Sequence, residues 1–216
     1  FALIGPNGAG KTTVFNLITG LLAPDAGSLV FEGKSLAGLK PHQIAAAGIS
    51  RTFQNLQLFG GMTVLENIIA GAYLKGRTGF LKSLATWPGS AREERKIRQE
   101  ALALIDEVGL AGLADLPAAA LPFGRQRLLE IARALASGPR LVLLDEPAAG
   151  LNSAETKELA DYLKRLREEG KSMVLVEHDM ETVMEVADRI MVLNFGEAIA
   201  LGTPAEIQAN PEVIKA

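Results

Sequence analysis

The sequence contains no cysteine and only two histidines, His42 and His178. Without a thiol, the chain cannot form a disulfide bond, a cysteine-ligated zinc site or a thiol nucleophile. Two histidines are also too few for a multi-histidine metal site. These absences exclude disulfide-stabilised scaffolds, zinc-finger proteins and cysteine-dependent enzymes.

Long apolar runs and a large excess of one charge are absent too. Charged residues or glycines interrupt every apolar stretch well short of the roughly 20 residues that a membrane-spanning helix needs, and no signal peptide is visible. Lysine and arginine total 22 against 25 aspartates and glutamates, a formal net charge of −3. A general nucleic-acid binder usually carries a basic surplus. The sequence therefore predicts a soluble, intracellular chain that does not act by binding nucleic acid.

The composition that remains is that of an ordinary globular protein. Apolar residues make up 48% and charged residues 22% of the 216 positions, which allows one or two domains with a sizeable core. The chain starts without methionine, in the apolar strand pattern of residues 1–4, and stops without a terminating signal. We therefore expect most of a domain, with N-terminal strands missing, rather than a whole gene product.

After Pro139, strand and helix patterns alternate along the chain. The segment 141–144 is wholly apolar, as expected of a central strand that is buried on both faces. Further strands are predicted at 172–176 and 190–193, with helical patterns between them. Strands that alternate with helices indicate an α/β fold with a mostly parallel sheet.

The stretch from residue 60 to residue 138 has mostly helical patterns and is interpreted as an insertion into the α/β core. A capping box, formed by Thr63 and Glu66, predicts a helix that starts near residue 64. Residues 76–89, which include Trp87, have a loop-like pattern. We expect 1–59 and 139–216 to be the two parts of the core and 60–138 to be a helical subdomain.

The segment from Gly5 to Thr12, GPNGAGKT, matches the phosphate-loop pattern G-x-x-x-x-G-K-[ST] at every position. It follows an apolar strand pattern and precedes a helical one, which is the context that such a loop needs. Its glycines let successive backbone N–H groups point at phosphate oxygens, and the helix N-terminus favours an anion. Lys11 is expected to bind the β- and γ-phosphates of a nucleotide, and Thr12 to bind Mg²⁺.

Two acids, Asp145 and Glu146, directly follow the apolar strand pattern. Because ligands of open α/β sheets bind at the carboxyl ends of the strands, we expect Asp145 to hold Mg²⁺ and Glu146 to polarise an attacking water. General-base help of this kind contributes about 10²–10⁴ in rate. His178 and Gln54 each follow another strand pattern, so both are candidates for the same edge of the sheet.

The order of these motifs resembles that of the ATP-binding subunit of an ABC transporter. The resemblance covers essentially the whole chain, and it rests on residues 5–12, 53–54, 121–135, 141–147 and 178. Within that superfamily, three segments resemble the branched-chain amino-acid transporter subunits: residues 146–152, 177–180 and 202–211. The segment 73–98 looks most like the larger of the two ATPases that such transporters carry.

The resemblance implies an ATP hydrolase with the P-loop NTPase core of the ABC type and a helical subdomain. It implies that residues of the phosphate loop hold ATP and Mg²⁺, namely Asn7, Gly8, Ala9, Gly10, Lys11, Thr12 and Thr13. Catalytic roles fall to Glu146, to His178 at the γ-phosphate and to Gln54. The metal is contacted by Thr12, Gln54 and Asp145.

The family also implies partners for this chain. Two ATP-binding subunits, in a homodimer or a heterodimer, close head to tail, so that Gly124 and the segment 121–126 complete the nucleotide site of the partner subunit. Closure on ATP and reopening after hydrolysis drive a separate membrane permease. A solute-binding protein supplies that permease with the solute. The resemblance thus implies a peripheral subunit at the cytoplasmic face of the inner membrane that binds no nucleic acid and energises uptake of branched-chain amino acids.

Three features depart from the family pattern. Pro122, Phe123 and Arg125 stand where the signature usually has serine, glycine and glutamine, and Pro122 offers a phosphate neither a hydroxyl nor an N–H group. We hypothesise that Arg125 supplies charge there instead. Asn152 stands where many relatives have aspartate, and the aromatic residue that stacks on adenine would precede Phe1.

Three alternative functions remain open on the sequence alone. The same ATPase can serve an importer of urea, short amides or another small polar solute. A soluble ABC-type ATPase that acts on DNA or ribosomes would be expected to have a second cassette or coiled-coil insertions, and neither is visible. A nucleotide-binding module with little turnover is suggested by Pro122 and Phe123.

Overall fold

A computed structural model describes residues 1–73 and 90–215 of the chain. Two compact units make up the chain: Phe1–Gln54 with Arg140–Ala216, here called the α/β unit, and Asn55–Pro139, here called the helical unit. The subdivision expected from the sequence, with a helical part at 60–138, stays a prediction.

In the α/β unit, strands alternate with helices along the chain. In the helical unit, the elements are helices. The strands are β1 (Ala2–Ile4), β2 (Val30–Phe31), β3 (Lys34–Ser35), β4 (Ile49–Arg51), β5 (Leu141–Asp145), β6 (Ser172–Val176), β7 (Ile190–Asn194) and β8 (Glu197–Gly202). The helices are α1 (Lys11–Ile18), α2 (Pro41–Ala46), α3 (Val64–Ala72), α4 (Ser90–Glu107), α5 (Phe123–Ala136), α6 (Ser153–Glu168), α7 (Met180–Val186), α8 (Pro204–Gln208) and α9 (Pro211–Lys215).

The main sheet has six strands in the order β4-β5-β6-β1-β7-β8. The first five strands are parallel to one another, and β8 pairs with β7 in antiparallel fashion. This mostly parallel sheet confirms the α/β class that the sequence predicts. Because neighbouring parallel strands end at the same edge, β4, β5, β6 and β1 bring their carboxyl ends side by side.

Apolar side chains from the strands and from α1 form the core of the α/β unit. Its buried members include Leu3, Phe15, Leu143, Val176 and Leu193. Burying a side chain of this size is worth about 1.5–3 kcal/mol. The core therefore anchors the strands and the first helix from which the candidate site residues project.

In the helical unit, α3 packs against both α4 and α5. The predicted capping box is present, because the Thr63 hydroxyl accepts the Glu66 N–H and the Glu66 carboxylate accepts the Thr63 N–H. Helix α5 begins at Phe123 and is preceded by Pro122. The predicted loop at 76–89, with Trp87, lies outside the described residues. Among the helices that the structure describes, none is long and apolar enough to cross a lipid bilayer.

Candidate functional site

The phosphate loop joins β1 to α1 and is held in place by two backbone contacts. The Ala9 N–H donates to the carbonyl of Pro6 (3.1 Å), and the carbonyl of Ala9 accepts the N–H of Gly196 from the β7–β8 turn (2.9 Å). Gly5 has a φ of +149°, and a Cβ atom there would lie 2.1 Å from the carbonyl oxygen of Leu193. The loop therefore needs glycine at position 5 to pass under β7.

Lys11 opens α1 and folds its side chain back under the loop. Its Nζ atom donates to the carbonyl oxygens of Gly5 (2.7 Å) and Pro6 (3.0 Å). Burial lowers the pKa of the Lys11 ammonium from its ordinary value, while the carboxylates of Glu146 and then Asp145 act in the opposite direction. The cation thus lies within electrostatic reach of the two acids that the sequence analysis selects.

The N-terminus of α1 provides backbone donors for an anion. Within the described part of the chain, no side chain caps this end of the helix, and its first turn contains no acidic residue. The first N–H groups of a helix have no intrahelical acceptor, and the helix dipole favours negative charge there. These features fit a phosphate group at the residues from Asn7 to Thr13.

Glu146 lies between two of the predicted catalytic side chains. Its Oε1 atom is 2.9 Å from Nε2 of His178, and its Oε2 atom accepts a hydrogen bond from Nε2 of Gln54 (2.9 Å). Glu146 also has a φ of +49°, a left-handed conformation that is uncommon outside glycine. The structure thus brings Gln54, Glu146 and His178 together from the ends of β4, β5 and β6.

Asp145 contacts a partner that the sequence analysis missed. Its Oδ2 atom accepts a hydrogen bond from Nη2 of Arg51 (2.7 Å), and the two side chains are only 7% and 6% exposed. Nη1 of Arg51 donates to Oδ1 of Asn16 on α1 (2.7 Å), and the guanidinium lies over the rings of Phe15 and Phe53. One oxygen of Asp145 is therefore bound to Arg51, which also contacts the phosphate-loop helix.

Glu177 is a second functional candidate that sequence reasoning missed. It is 4% exposed, and its carboxylate accepts the backbone N–H groups of Ala148 and His178, each at 2.8 Å. Burial raises the pKa of this carboxyl group, those two hydrogen bonds lower it, and the charge of Glu146 raises it further, so that the net shift is upward. An acid directly before His178, at the end of an apolar strand, was the available signal.

The proposed metal ligands offer a hydroxyl from Thr12, an amide from Gln54 and a carboxylate from Asp145. Such oxygen donors are those that Mg²⁺ prefers, since it is bound through one or two carboxylates plus substrate phosphates. The described residues contain no cluster of three or more histidine, aspartate and glutamate side chains that could hold a metal ion alone. The donor set therefore fits Mg²⁺ bound together with a nucleotide.

The remaining predicted site residue, Gly124, is a buried residue in the first turn of α5, in the helical unit. Pro122 precedes that turn, and Nε2 of Gln126 donates to the carbonyl of Leu121 (2.8 Å). Nη1 of Arg125 donates to the carbonyl of Gly109 (3.4 Å). The proposed role of this segment in a partner's nucleotide site stays a prediction.

Asn152 caps α6. Its side-chain oxygen accepts the backbone N–H groups of Ala154 and Glu155, both at 3.0 Å, while the Glu155 carboxylate accepts the Asn152 N–H (3.0 Å). Asparagine is among the favoured N-cap residues. The departure from aspartate at this position is thus compatible with the local fold.

Comparison with known proteins identifies the family. A family model described as ABC transporter matches residues 1–149, and a second one, described as branched-chain amino acid ATP-binding cassette transporter, matches residues 199–216. The chain is 45% identical to the high-affinity branched-chain amino acid transport ATP-binding protein BraF of Pseudomonas aeruginosa. That match covers 100% of this chain and 85% of BraF.

Solved structures give the same result. The ADP conformation of MJ1267, an ATP-binding cassette of an ABC transporter, superposes with a TM-score of 0.84 at 32% identity and covers 99% of this chain and 85% of that one. A dimeric, post-hydrolysis state of the ATP-binding cassette MJ0796, bound to ADP and Pi, has a TM-score of 0.76 at 29% identity. It covers 94% of this chain and 84% of that one. The predicted resemblance is confirmed, and the chain belongs to the ABC transporter family as one of its ATP-hydrolysing, ATP-binding cassettes.

Proposed function

We propose that the chain binds and hydrolyses ATP to energise the import of branched-chain amino acids. The observation that carries the catalytic part is the order of the strands in the sheet. Because β4, β5, β6 and β1 are neighbours, the segments that follow them lie side by side, and these carry, in turn, Gln54, Glu146, His178 and the phosphate loop. The cargo is supported by the similarity to BraF, a high-affinity branched-chain amino acid transport ATP-binding protein, and by the family match at residues 199–216.

In this proposal, the phosphate loop binds the nucleotide. The backbone N–H groups from Asn7 to Thr13 point at phosphate oxygens, and the ammonium of Lys11 exchanges its carbonyl partners, Gly5 and Pro6, for the β- and γ-phosphates. Mg²⁺ supplies charge neutralisation at the β- and γ-phosphates when it is bound. Thr12, Gln54 and Asp145 are its proposed ligands.

Glu146 is the proposed general base. Its carboxylate polarises the water that attacks the γ-phosphate, while His178 and Gln54 hold its two oxygens and so orient it. The imidazole of His178 is partly exposed, which leaves it room to contact the γ-phosphate. Replacing Glu146 with glutamine is expected to lower the rate of phosphate release by about 10²–10⁴ and to preserve ATP binding.

The complete machine requires other chains. We propose that a second ATP-binding subunit closes on this one, a step that the dimeric MJ0796 structure supports by similarity, and that Gly124 and the rest of segment 121–126 complete the partner's site. A membrane permease, which would place the chain at the cytoplasmic face of the inner membrane, and a solute-binding protein are the further proposed partners. No nucleic-acid partner is proposed.

Uptake of labelled leucine into cells tests the cargo. The cells carry the full-length gene of this chain as wild type, as Lys11→Ala or as the control Lys157→Ala, which alters an exposed lysine on α6. Uptake should collapse only with Lys11→Ala, and an excess of unlabelled isoleucine or valine should compete. Unchanged leucine uptake with Lys11→Ala would contradict the proposed cargo. Competition by unlabelled urea, instead of by isoleucine or valine, would favour the urea or amide importer.

A further inference from the structure

One buried carboxylate joins the two loops that carry the catalytic pair. The Oε1 atom of Glu177 accepts the N–H of Ala148, which lies two residues after Glu146. The Oε2 atom of the same carboxylate accepts the N–H of His178. Glu177 touches neither reacting side chain in these contacts, yet it holds the backbone next to both of them.

Two further hydrogen bonds hold the segment that carries Glu146. The N–H of Glu146 donates to the carbonyl of Val176 (2.8 Å), and a turn then forms between the carbonyl of Glu146 and the N–H of Ala149 (3.1 Å). The bond from Ala148 to Glu177 secures the middle of that turn. The two contacts together orient a residue whose φ of +49° is left-handed.

A charged carboxylate suits this position better than its amide would. Hydrogen bonds to an ionised acceptor are roughly twice as strong as neutral ones, and both oxygens of a carboxylate are acceptors. A glutamine of the same size has one acceptor oxygen, and its NH₂ group would face one of the two N–H donors. Glutamine would therefore fill the space but release one of the two loops.

We infer that Glu177 is a positioning residue for ATP hydrolysis, which sets the 2.9 Å contact between Glu146 and His178 by holding the backbones of their two loops. This inference rests on the proposed function, in which Glu146 and His178 act on the water and the γ-phosphate. The Glu177 carboxylate itself takes no part in the proton transfer. Its substitution should therefore lower the rate of the chemical step and leave the affinity for nucleotide unchanged.

The test compares the full-length chain as wild type, Glu177→Gln, Glu177→Asp and Glu181→Gln. Glu181 is an exposed acid in the first turn of α7 and serves as the matched control. A misplacement of a reacting group by about 1 Å can lower the rate 10²-fold. We therefore expect kcat to fall about 10- to 100-fold in Glu177→Gln, with little change in KM. Glu181→Gln should behave as wild type.

The aspartate variant separates positioning from packing. Aspartate keeps two charged acceptor oxygens on a shorter stem, so positioning predicts that kcat declines in the order glutamate, aspartate, glutamine. A merely structural role predicts that the isosteric glutamine retains more activity than aspartate. If Glu177→Gln does not fold, as judged by its thermal unfolding, a wild-type kcat in a folded Glu177→Asp variant overturns the inference.

A second readout does not depend on turnover. The chain has only two histidines, so NMR can follow the imidazole signals of His178 with those of His42, exposed on α2, as an internal reference. Glu177→Gln should shift the His178 signals and leave those of His42 in place. Unshifted His178 signals overturn the inference.

The proposed function fails separately. If Glu146→Gln hydrolyses ATP at the wild-type rate, the catalytic assignment is wrong, whatever Glu177 does. If Glu146→Gln is inactive but Glu177→Gln matches the wild type, only the inference about Glu177 is wrong.

Discussion

Arg51 and Asp145 form an ion pair that is almost fully shielded from water, with side-chain exposures of 6% and 7%. Removing one member of a buried pair leaves an uncompensated charge and typically costs about 3–5 kcal/mol. We therefore expect Arg51→Met to lower the free energy of unfolding by about that amount. The double variant Arg51→Met/Asp145→Asn should be more stable than the sum of the single changes predicts.

Urea unfolding of the nucleotide-free chain measures this coupling. The matched control is the exposed pair formed by Lys96 and Glu100 on α4, at 3.8 Å, for which a coupling of about 0–1 kcal/mol is normal. A coupling between Arg51 and Asp145 no larger than that of the exposed pair would contradict the expectation.

Glu130 on α5 gives the pH dependence of stability a definite sign. It is 2% exposed and accepts hydrogen bonds from the N–H of Gln57 (3.1 Å) and from Nη1 of Arg127 (3.2 Å). Burial raises the pKa of its carboxyl group above the ordinary 4.5, while the bond from Gln57 and the charge of Arg127 oppose the shift. The folded state therefore keeps this proton to a higher pH than the unfolded state does.

This sign leads to a measurable difference between wild type and Glu130→Gln. A group that binds its proton more tightly in the folded state stabilises the fold at low pH and loses that contribution as pH rises. The free energy of unfolding of the wild type minus that of the variant should thus decrease as pH rises above about 4.5, the ordinary pKa of this group. Urea unfolding over a pH series checks this, and a difference that increases with pH would contradict it.

The sequence selects the proposed catalytic residues, but it does not select the residues that contact them. Gln54, Glu146 and His178 each follow a strand pattern, so the rule about strand ends selects them without knowledge of contacts. Arg51 meets Asp145 across 94 positions of the chain, and Glu177 meets Ala148 across 29. No local pattern encodes such pairs, because they depend on which strands lie side by side.

At the scale of the element, α3 and α5 approach each other closely at Gly71. A Cβ atom on Gly71 would lie 2.2 Å from the carbonyl oxygen of Arg133, and backbone cannot move aside as a flexible side chain can. Overpacking of this kind costs about 1–3 kcal/mol, which equals or exceeds the roughly 1 kcal/mol that alanine gains over glycine in a helix. Gly71→Ala should therefore destabilise the helical unit.

Thermal unfolding of Gly71→Ala beside Gly61→Ala tests this close approach. Gly61 is in the same unit, and a Cβ atom there would meet no described atom within 4 Å. We expect the melting temperature to fall for Gly71→Ala and to stay near the wild-type value for Gly61→Ala. Equal melting temperatures for the two variants would show that the helices can separate at no cost.

The elements that the sequence predicts are those with strong local signals. The helix at Thr63 has a capping box, and β5 is wholly apolar, so both are found. Strand β8 was missed, because it is a partly exposed edge strand. It follows a two-residue turn, Phe195 and Gly196, in which both φ angles are positive (47° and 84°). The usual signal for such a turn is asparagine or aspartate before glycine, and phenylalanine does not supply it.

At the scale of the whole molecule, each proposed nucleotide site needs residues from two subunits. Lys11 belongs to the α/β unit and Gly124 to the helical unit. If two copies of the chain, or this chain and a similar partner, close head to tail, each site takes its phosphate loop from one subunit and its segment 121–126 from the other. A contact with two-fold symmetry, in which residue i of one subunit meets residue j of the other and the reverse, yields two composite sites.

Composite sites predict complementation between two inactive variants. If the proposed roles hold, Lys11→Ala removes the cation that binds phosphate, and Gly124→Asp adds a negative charge at the partner's nucleotide site, so each variant alone should hydrolyse little ATP. In a mixed dimer, one site combines both defects, and the other combines an intact phosphate loop with an intact segment 121–126. Random pairing makes half of the dimers mixed, and one site in each is intact, so equimolar mixing should restore at most about a quarter of the wild-type rate.

Phosphate release from the mixed full-length variants checks this expectation. The matched control mixes Lys11→Ala with the doubly substituted chain Lys11→Ala/Gly124→Asp, in which no site has an intact phosphate loop, and it should stay inactive. Absence of recovery in the first mixture, despite dimers of both variants in sedimentation with ATP, would contradict a composite site. Gly124 would then lose its proposed role, while Gln54, Glu146 and His178 would keep theirs, because all three are contributed by the α/β unit of a single chain.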